Sequence, residues 1–434
     1  MTAADPPYLV ALNLTRRCNL RCEHCYLDAG TRAEGGTDEL TTAEVKDVID
    51  RIAALSSGCM VVMTGGEPLL RPDIEDLVAH AADAGLMVVL GTNGLGLTPD
   101  RIDRLQKAGL AGAGISLDSL DPAFHDDFRG SAGAWGKTMA ALDACRDAGL
   151  VFQLHYSVTD DNAHEFESMV DFAKSAGALA LNVFFLVCTG RGEKVTNISA
   201  ATYEDVLRRV TRAAHDEPQL MIRAKCAPHF KRMALELDPD WPITLAQGYE
   251  AGGCLAGTRY CRITPEGGVT ACPYMEAEVG SVRETDFAEI WQSAEQFQQL
   301  RDPKPEGRCG DCEYTKMCGG CRARPFARDG NLMGEDFLCD YTPGQGAVIQ
   351  PLGDTGSSLV WSEEAKTRLG RVPPFVRRMV RRGVEDFVRE QGRDRIEADD
   401  MAAAARKRFG EGGMPARLGT GFKRPGSPHA GDGS

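Results

Sequence analysis

The segment from Tyr8 to Cys25 reads YLVALNLTRRCNLRCEHC and joins an apolar run to three closely spaced cysteines. The run over residues 8–14 is typical of a buried strand. Cys18, Cys22 and Cys25 follow it, with three and then two residues between them. Three thiolates on one short loop can bind three irons of a [4Fe–4S] cluster and leave the fourth iron open to an outside molecule. A zinc site, or a cluster completed by a distant cysteine, is the alternative that this loop alone leaves open.

Outward from this segment, five more apolar runs of strand length follow before residue 190. They are residues 59–63, 86–91, 111–117, 150–158 and 179–187. Helical patterns lie between them, and three of these begin with start signals: a capping box at Thr41–Glu44, and an N-cap followed by proline at Thr98-Pro99 and Asp121-Pro122. Strands that alternate with helices predict a parallel sheet covered by helices, here an α/β fold in the form of a partial (β/α)6 barrel. In such folds the chemistry lies at the C-terminal edge of the strands, where the cysteine loop begins.

The composition indicates a metal-binding protein of a reducing compartment. The 434 residues carry a formal charge of −14, which argues against broad nucleic-acid binding. No apolar stretch approaches the ~20 residues of a membrane span, and the first residues do not resemble a secretory signal. We therefore expect a cytoplasmic protein with no membrane span and no nucleic-acid partner. Fifteen cysteines in such a protein indicate metal ligands rather than disulfides.

Changes of pattern along the chain predict four segments. Residues 1–235 form the barrel core. Residues 251–343 hold eight cysteines without a long periodic pattern, so we expect bound metal rather than a packed core to stabilise that domain. Residues 359–411, after a linker, form a small helical module with a valine every fourth residue and arginines on the other faces. These residues are Val376, Val380, Val384 and Val388, and Arg377, Arg378, Arg381 and Arg382. The Gly-, Pro- and Ser-rich tail, residues 412–434, is expected to be disordered.

Motifs at the strand ends resemble those of the radical S-adenosylmethionine (SAM) superfamily. Strand two ends in Thr64-Gly-Gly-Glu-Pro68, similar to the family's GGEP motif, strand three in Thr92-Asn-Gly94, and strand four in Ser116-Leu-Asp-Ser119. The resemblance implies that SAM binds the open iron of the cluster through its amino and carboxylate groups. It also implies a SAM shell of His24 at the adenine, Gly65, Gly66, Glu67 and Pro68 at the ammonium, and Asn93, Ser116, Asp118 and Asn162 around the ribose and carboxylate. His24 departs from the family pattern, in which an aromatic residue is usual at this position.

A second group of cysteines follows the barrel. Their spacing is Cys254-x6-Cys261-x10-Cys272, then Cys309-x2-Cys312-x5-Cys318-x2-Cys321, and then Cys339. This spacing alone also fits two zinc sites of four cysteines each. It is similar to the SPASM extension of radical SAM enzymes, including Gly267 five residues before Cys272. That resemblance implies two auxiliary [4Fe–4S] clusters and therefore three clusters in all. Carried over by position, the ligands are Cys254, Cys261, Cys272 and Cys321 for one, and Cys309, Cys312, Cys318 and Cys339 for the other.

Four cysteines lie outside both groups. Cys59 and Cys145 fall in apolar patterns and are expected in the core, where free cysteine is often buried. Cys188 ends the sixth apolar run, and Cys226 lies in the sequence Lys225-Cys-Ala-Pro-His229. We treat Cys188 and Cys226 as candidates for a functional role.

Two stretches resemble the haem-biosynthesis branch of the family, whose members act on propionate side chains of tetrapyrroles. They are Phe185-Leu-Val-Cys-Thr-Gly-Arg191-Gly192 and Lys225-Cys-Ala-Pro-His229-Phe230. Residues 361–387 are similar to the C-terminal domain of the light-independent protochlorophyllide reductase, another tetrapyrrole enzyme. These resemblances imply a tetrapyrrole substrate, and the candidates to pair with its carboxylates are Arg191, Arg223, Lys225 and His229.

The resemblance also implies a reaction. An external flavodoxin- or ferredoxin-type donor reduces the first cluster, SAM is cleaved to a 5′-deoxyadenosyl radical, and the radical removes hydrogen from the substrate. If oxidative decarboxylation follows, an auxiliary cluster is a suitable acceptor for the remaining electron. Two alternatives stay open: a peptide-modifying maturase, and a non-catalytic iron–sulfur protein that passes electrons to a partner. The motifs at the strand ends speak against the second, since an electron carrier needs no SAM site.

Overall fold

The structure is a computed structural model that describes residues 4–30, 38–194, 198–217, 219–239, 241, 254–344, 346–349, 359–370, 372 and 374–409. Side chains at 193–194, 374–379, 382 and 408–409 are not described. The predicted disordered tail, residues 412–434, lies outside the described residues, and so do positions 345 and 350–358 of the predicted linker.

Ten strands form one sheet. They are β1 (Leu9–Asn13), β2 (Met60–Thr64), β3 (Met87–Thr92), β4 (Gly112–Ser116), β5 (Phe152–Val158), β6 (Ala180–Phe185), β7 (Met221–Lys225), β8 (Tyr260–Ile263), β9 (Gly268–Thr270) and β10 (Gly280–Ser281). Their order across the sheet is β10-β9-β8-β1-β2-β3-β4-β5-β6-β7. Strands β1 to β7 are parallel to one another, and β8 is parallel to β1. The six predicted strands and the α/β class are therefore confirmed.

Helices connect the parallel strands and cover one face of the sheet. They are α1 (Thr42–Leu55), α2 (Ile74–Asp83), α3 (Pro99–Lys107), α4 (Pro122–Arg129), α5 (Ala134–Ala148), α6 (Phe166–Ala176), α7 (Ala200–Asp216) and α8 (Phe230–Leu237). The three predicted start signals are confirmed. Thr41 and Glu44 form a reciprocal capping box at α1, and Thr98 and Asp121 cap α3 and α4 ahead of a proline.

The two faces of the sheet differ in burial. Leu154, Tyr156 and Val183 are fully buried under the helices and belong to one continuous apolar core. Because side chains alternate along a strand, Gln153, His155 and Phe184 lie on the opposite face, and they are only half-buried. We call this the inner face of β5 to β7. Cys59 and Cys145 belong to the core, as predicted.

The cysteine-rich region continues both the sheet and the core. Its helices are α9 (Phe287–Ser293), α10 (Glu295–Arg301), α11 (Gly307–Asp311) and α12 (Ala323–Asp329). Phe287, Trp291 and Phe297 are fully buried in the same apolar cluster as the barrel strands. The expectation that this region lacks a packed core is therefore wrong. The short runs that form β8 to β10 and α9 to α10 are each too brief to show a period in the sequence.

The C-terminal module has a small core of its own. It contains α13 (Glu363–Gly370), α14 (Pro374–Glu390), α15 (Ala398–Phe409) and two short parallel strands, β11 (Val360–Trp361) and β12 (Arg395–Ile396). Val384 and Val388 of the predicted valine stripe are buried there with Trp361. Arg381 pairs with Glu385 at 3.0 Å, whereas the side chains of Val376, Arg377, Arg378 and Arg382 lie outside the described residues. Among the described residues, no helix is both long and apolar enough to cross a membrane.

We expect a chain that ends near residue 350 to retain its iron and its ability to cleave SAM. The physical reason is that the module's apolar residues form a cluster separate from the barrel core. Iron content and SAM cleavage of the anaerobically reconstituted truncated chain provide the measurement, with the full chain as control. Loss of iron on truncation would show instead that the module and the cysteine-rich region fold as one unit.

Candidate functional site

The first cysteine loop directs hydrogen-bond donors at its sulfurs. The backbone N–H of Leu20 lies 3.4 Å from Cys18 Sγ, and Arg129 Nη1 lies 3.7 Å from Cys22 Sγ. Burial raises the pKa of the Cys18 thiol to about 12. A buried thiol of this kind becomes a thiolate only when donors, cations or a metal stabilise the negative charge. The donor set therefore fits an anionic metal cluster on Cys18, Cys22 and Cys25.

The two glycines of the GGEP motif pack directly against the chain that leads into this loop. Gly66 N donates to Thr15 O at 2.7 Å, and Glu67 N donates to Arg17 O at 2.8 Å. A Cβ atom on Gly66 would lie 2.1 Å from Arg17 O, and Gly65 has a φ of +129°. Only glycine fits this approach without moving the backbone. The motif thus positions the residues immediately before Cys18.

Glu67, which the resemblance placed near the SAM ammonium, uses its carboxylate in hydrogen bonds within the protein. Its carboxylate is buried and accepts hydrogen bonds from Leu69 N at 3.1 Å, Thr92 Oγ1 at 2.8 Å and Asn93 N at 2.9 Å. Through these hydrogen bonds the Glu67 carboxylate connects the ends of β2 and β3. Asn93 in turn donates from Nδ2 to Asn19 Oδ1 at 2.7 Å, inside the cysteine loop. Pro68, also buried, begins the short 3-10 helix Pro68–Leu70.

Asp118 and Asn162 have structural partners at the ends of β4 and β5. Asp118 accepts from Ser157 N at 2.9 Å and pairs with Arg129, the residue that also reaches Cys22. Although burial alone would raise it, the Arg129 guanidinium holds the pKa of Asp118 below its usual value. Asn162 is fully buried, donates to Asp118 O and Ser157 O, and accepts from Thr159 N. Both residues shape the site through its backbone, while Ser116 is half-buried at the end of β4.

His24 offers a flat surface beside the loop. Its ring stacks on Phe128, with centroids 4.5 Å apart and an interplanar angle of 14°. Burial lowers the pKa of His24 to about 4, so the imidazole is neutral at physiological pH. Its Nδ1 is buried and has no hydrogen-bond partner within the described part of the chain. A neutral ring with an unused polar atom fits the predicted contact with a flat base such as adenine.

Arg191, a predicted substrate contact, hydrogen-bonds to the first cysteine loop. Its Nε donates to Cys22 O at 2.9 Å, and its Nη1 donates to Ala29 O at 2.7 Å and to Asp28 Oδ1 at 2.6 Å. The neighbouring Gly190 is equally close, since a Cβ there would lie 2.6 Å from Cys25 O. The segment after β6 therefore lies against the loop after β1, which requires the sheet to curve. Cys188, in the same segment, is half-buried.

Polar residues line the inner face of β5 to β7. Asn182 Nδ2 donates to Gln153 Oε1 at 2.8 Å, and the rings of His155 and Phe184 lie 5.2 Å apart. Arg223 and Lys225 are half-buried on β7, two residues apart and hence on the same side of the strand. Burial, and then the nearby Lys225 cation, lower the pKa of His155 to about 4.

Sequence reasoning identified Arg223 and Lys225 but missed His155, Gln153 and Asn182. The available signal was a polar residue at alternate positions inside otherwise apolar strand runs, as in FQLHY at residues 152–156.

His229 is not available to a substrate in this structure. It is 1 % exposed, and its Nδ1 lies 2.7 Å from Tyr203 Oη. Its Nε2 lies 3.6 Å from Asp336 Oδ2. Asp336 also accepts from Arg324 Nη1 at 2.8 Å, and both are fully buried. The predicted substrate contact through His229 is therefore replaced by a buried connection between the barrel and the cysteine-rich region.

One group of cysteines in the C-terminal half surrounds a single cavity. Cys309, Cys312, Cys318 and Cys339 all line it, which is the grouping that the SPASM resemblance implied. Three of these sulfurs face backbone N–H groups: Tyr314 N lies 3.4 Å from Cys312, Gly320 N 3.4 Å from Cys318, and Asp336 N 3.5 Å from Cys309. Backbone N–H donors at thiolates are the usual environment of a protein-bound iron–sulfur cluster.

The other implied group is only partly brought together. The thiols of Cys254, Cys272 and Cys321 lie near one another. Cys272 interacts electrostatically with both Cys254 and Cys321, and Cys321 also interacts with Cys254. Cys261 is not with them. It is fully buried on β8, where its electrostatic neighbours are Cys59 and Arg301. Within the described residues, no group of three or more His, Cys, Asp or Glu side chains is placed to hold a single metal ion.

Comparison with known families gives three matches along the chain. A profile described as "Radical SAM superfamily" matches residues 12–173, and one described as "Iron-sulfur cluster-binding domain" (SPASM) matches residues 254–313. A third, described as "Proto-chlorophyllide reductase 57 kD subunit", matches residues 361–404. The three matches fall on the barrel, the cysteine-rich region and the C-terminal module.

Individual relatives agree with these matches. The AdoMet-dependent heme synthase of Methanosarcina barkeri is 40% identical over 347 residues, covering 79% of this chain and 98% of the relative. The pre-heme d1 synthase of Dinoroseobacter shibae is 31% identical and covers 78% of this chain and 87% of the relative. In fold, the chain is similar to Streptococcus suis SuiB bound to S-adenosylmethionine, with a TM-score of 0.63, 18% identity and 78% of each chain covered.

We expect Gly66→Ala to disrupt the first cysteine loop. The new Cβ meets the Arg17 carbonyl, which is backbone and cannot rotate away, so the residues before Cys18 must move. Overpacking of this kind costs about 1–3 kcal/mol or more. Iron content and SAM affinity should both fall, and both are measurable on the anaerobically reconstituted protein. Gly136→Ala is the control, because a Cβ at Gly136 in α5 meets nothing within 4 Å. A Gly66→Ala protein with full iron content and normal SAM affinity would contradict this account.

Glu67→Gln should lower the free energy of unfolding by about 1.5–3 kcal/mol, the cost of removing a buried charged acceptor. An amide cannot accept from all three of the donors that surround the carboxylate. Denaturant unfolding measures the change. Glu44→Gln is the control, since glutamine also serves in a capping box, and its effect should be smaller. If Glu67→Gln weakens SAM binding with no loss of stability, then Glu67 contacts SAM directly and the structural interpretation is wrong.

Proposed function

Because the chain belongs to the radical SAM superfamily, carries a SPASM domain and groups with the haem-biosynthesis branch, we propose that it modifies propionate side chains of a tetrapyrrole in haem-type biosynthesis. The AdoMet-dependent heme synthase relative is matched along almost its whole length, so the likeness includes both the barrel and the cysteine-rich region. The proposed substrate class is an iron-bearing coproporphyrin or a related tetrapyrrole carboxylate.

One structural observation supports the proposal: two cationic side chains lie on the inner face of β7. Arg223 and Lys225 present two cations on the half-buried inner face of β7, on the side where polar groups replace the apolar core. A propionate is a carboxylate on a short aliphatic arm, and cations at a partly desolvated surface pair with carboxylates well. The neutral ring of His155, next to Lys225 and Phe184, provides a flat neighbour for a macrocycle.

The cofactors supply the radical chemistry when bound: reductive cleavage of SAM to a 5′-deoxyadenosyl radical at the cluster on Cys18, Cys22 and Cys25, and acceptance of one electron at an auxiliary cluster. The chain's own residues prepare the site. Arg129 neutralises Asp118 and donates to Cys22, and Arg191 fixes the backbone of the same loop. His24 lies beside them as the proposed adenine contact.

We further propose three [4Fe–4S] clusters, one that binds SAM and two auxiliary, with about twelve irons per chain. An external one-electron donor of the flavodoxin or ferredoxin type completes the system. A cytoplasmic location fits these cofactors, since reducing compartments keep cysteines out of disulfides and available as cluster ligands.

The decisive experiment compares substrates. The anaerobically reconstituted protein is incubated with SAM, a reductant and iron-coproporphyrin, and methionine, 5′-deoxyadenosine and the decarboxylated porphyrin are quantified. The proposal predicts that 5′-deoxyadenosine forms together with porphyrin product. SAM cleavage that the porphyrin does not stimulate, but that a small peptide does, would favour the peptide-modifying alternative. Absence of SAM cleavage under every condition would favour the electron-carrier alternative.

Arg223→Gln and Lys225→Gln should each lower kcat/KM for the porphyrin by about tenfold to a hundredfold, the equivalent of one charge-assisted hydrogen bond. Their iron content should match that of the unmodified protein. Lys107→Gln is the control, because Lys107 is exposed on α3, where it pairs with the exposed Asp103 at 2.6 Å. Porphyrin turnover that is equal in all three variants would remove β7 from the proposed substrate site.

A further inference from the structure

Cys226 has an unusual backbone conformation and an unassigned thiol. It follows β7 directly and has a φ of +58°, and Asp28 is the other described residue besides glycines with a positive φ. Side chains adopt this region at an energetic cost, and such strain persists where the surroundings fix the residue. Arg324 Nη2 donates to Cys226 O at 2.6 Å, which provides that fixation.

Arg324 brings Cys226 next to Cys321. The guanidinium of Arg324 contacts the Cys226 carbonyl, and its own backbone N–H donates toward the Cys321 thiol. The buried Asp336 holds the arrangement, because it accepts from Arg324 Nη1 and from Cys321 N, both at 2.8 Å. Two cysteines far apart in the sequence are thus fixed by one buried ion pair.

The same place contains Cys254 and Cys272. The Cys272 thiol lies close enough to Cys226, Cys321 and Cys254 to interact electrostatically with each of them. Cys226 likewise has Cys321 and Cys254 among its electrostatic neighbours. Each of the four thiols therefore lies beside others of the set.

Cys261 points to the other side of the sheet. Its neighbour on β8, Arg262, donates to Thr270 Oγ1 at 3.0 Å and to Pro273 O at 3.1 Å, on the side that carries Cys272. Adjacent residues of a strand face opposite sides, so Cys261 lies among the core residues with Cys59 and Arg301. The Cys261 thiol therefore lies on the face opposite to the one that carries Cys272.

We propose that Cys226, rather than Cys261, is the fourth ligand of the auxiliary cluster held by Cys254, Cys272 and Cys321. This inference rests on the proposed function only in so far as that function includes a second auxiliary cluster. It places a cluster ligand directly after β7, the strand that carries the candidate substrate cations. Lys225 and Cys226 are consecutive, so the chain passes from the inner face of the barrel to the cluster within one peptide unit.

The test compares Cys226→Ala with Cys261→Ala in the full chain after anaerobic reconstitution. Iron and sulfide per chain are measured, together with the electron paramagnetic resonance spectrum of the dithionite-reduced protein. Cys226→Ala should lose about four of about twelve irons, or convert one cluster to a three-iron form, and one set of reduced-cluster signals should disappear. Cys261→Ala should keep the iron content and spectrum of the unmodified protein.

Full iron content in Cys226→Ala would overturn the proposal, whatever Cys261→Ala does. If Cys261→Ala also loses iron, Cys261→Val decides, since valine refills the core position without offering a ligand. Normal iron in the valine variant supports the proposal, and loss of iron overturns it. The unmodified protein distinguishes two other failures. If it binds only about four irons, the proposed auxiliary clusters are absent. If it binds about twelve irons but does not act on the porphyrin, only the proposed substrate is wrong.

Discussion

Parallel pairing of β1 on both of its sides is the constraint on which the rest of the site depends. The backbone of β1 hydrogen-bonds with β2 on one side and with β8 on the other, in register from Leu9 onward. The cysteine loop that leaves β1 is therefore bounded by the GGEP segment after β2, and the chain of β8 and β9 lies along the opposite side. The close approach of Gly66 to Arg17 is possible because the two parallel strands end at the same edge.

Curvature of the sheet brings together segments that are distant in the strand order. Arg191, after β6, contacts the backbone of the first cysteine loop, and Cys226, after β7, lies beside Cys272, which follows β9. The rings of Tyr26 and Tyr274 also meet, with centroids 5.6 Å apart. Asp336 connects the two cysteine groups of the C-terminal half, since its N–H faces Cys309 of one group and its carboxylate accepts from the N–H of Cys321 in the other. One buried carboxylate thus influences the electrostatics of both groups.

The sequence was sufficient for the features that depend on neighbouring residues. Six strands, three helix caps and the first cysteine loop follow from short-range patterns, and the structure has all of them. Strand β7 escaped detection because Arg223 and Lys225 interrupt its short apolar pattern. The spacing of residues could not predict the surroundings of Cys261, Glu67 and His229. The position of Cys261 depends on the face of β8 to which its side chain points. The partners of Glu67 include donors from the end of β3, and His229 lies against the buried Asp336, which is far along the chain.

The pairing of β8 with β1 has a consequence for the growing chain. Until residues 260–263 have been synthesised, one side of β1 has no partner, and its unpaired backbone belongs to the apolar sequence LVALN. An apolar edge strand is a template for association with other chains. The barrel strands are therefore synthesised with one edge of β1 unpaired, until β8 of the cysteine-rich region pairs with that edge. Any fragment that stops before β8, including one that contains every residue of the first cysteine loop, should be prone to aggregate rather than behave as an independent unit.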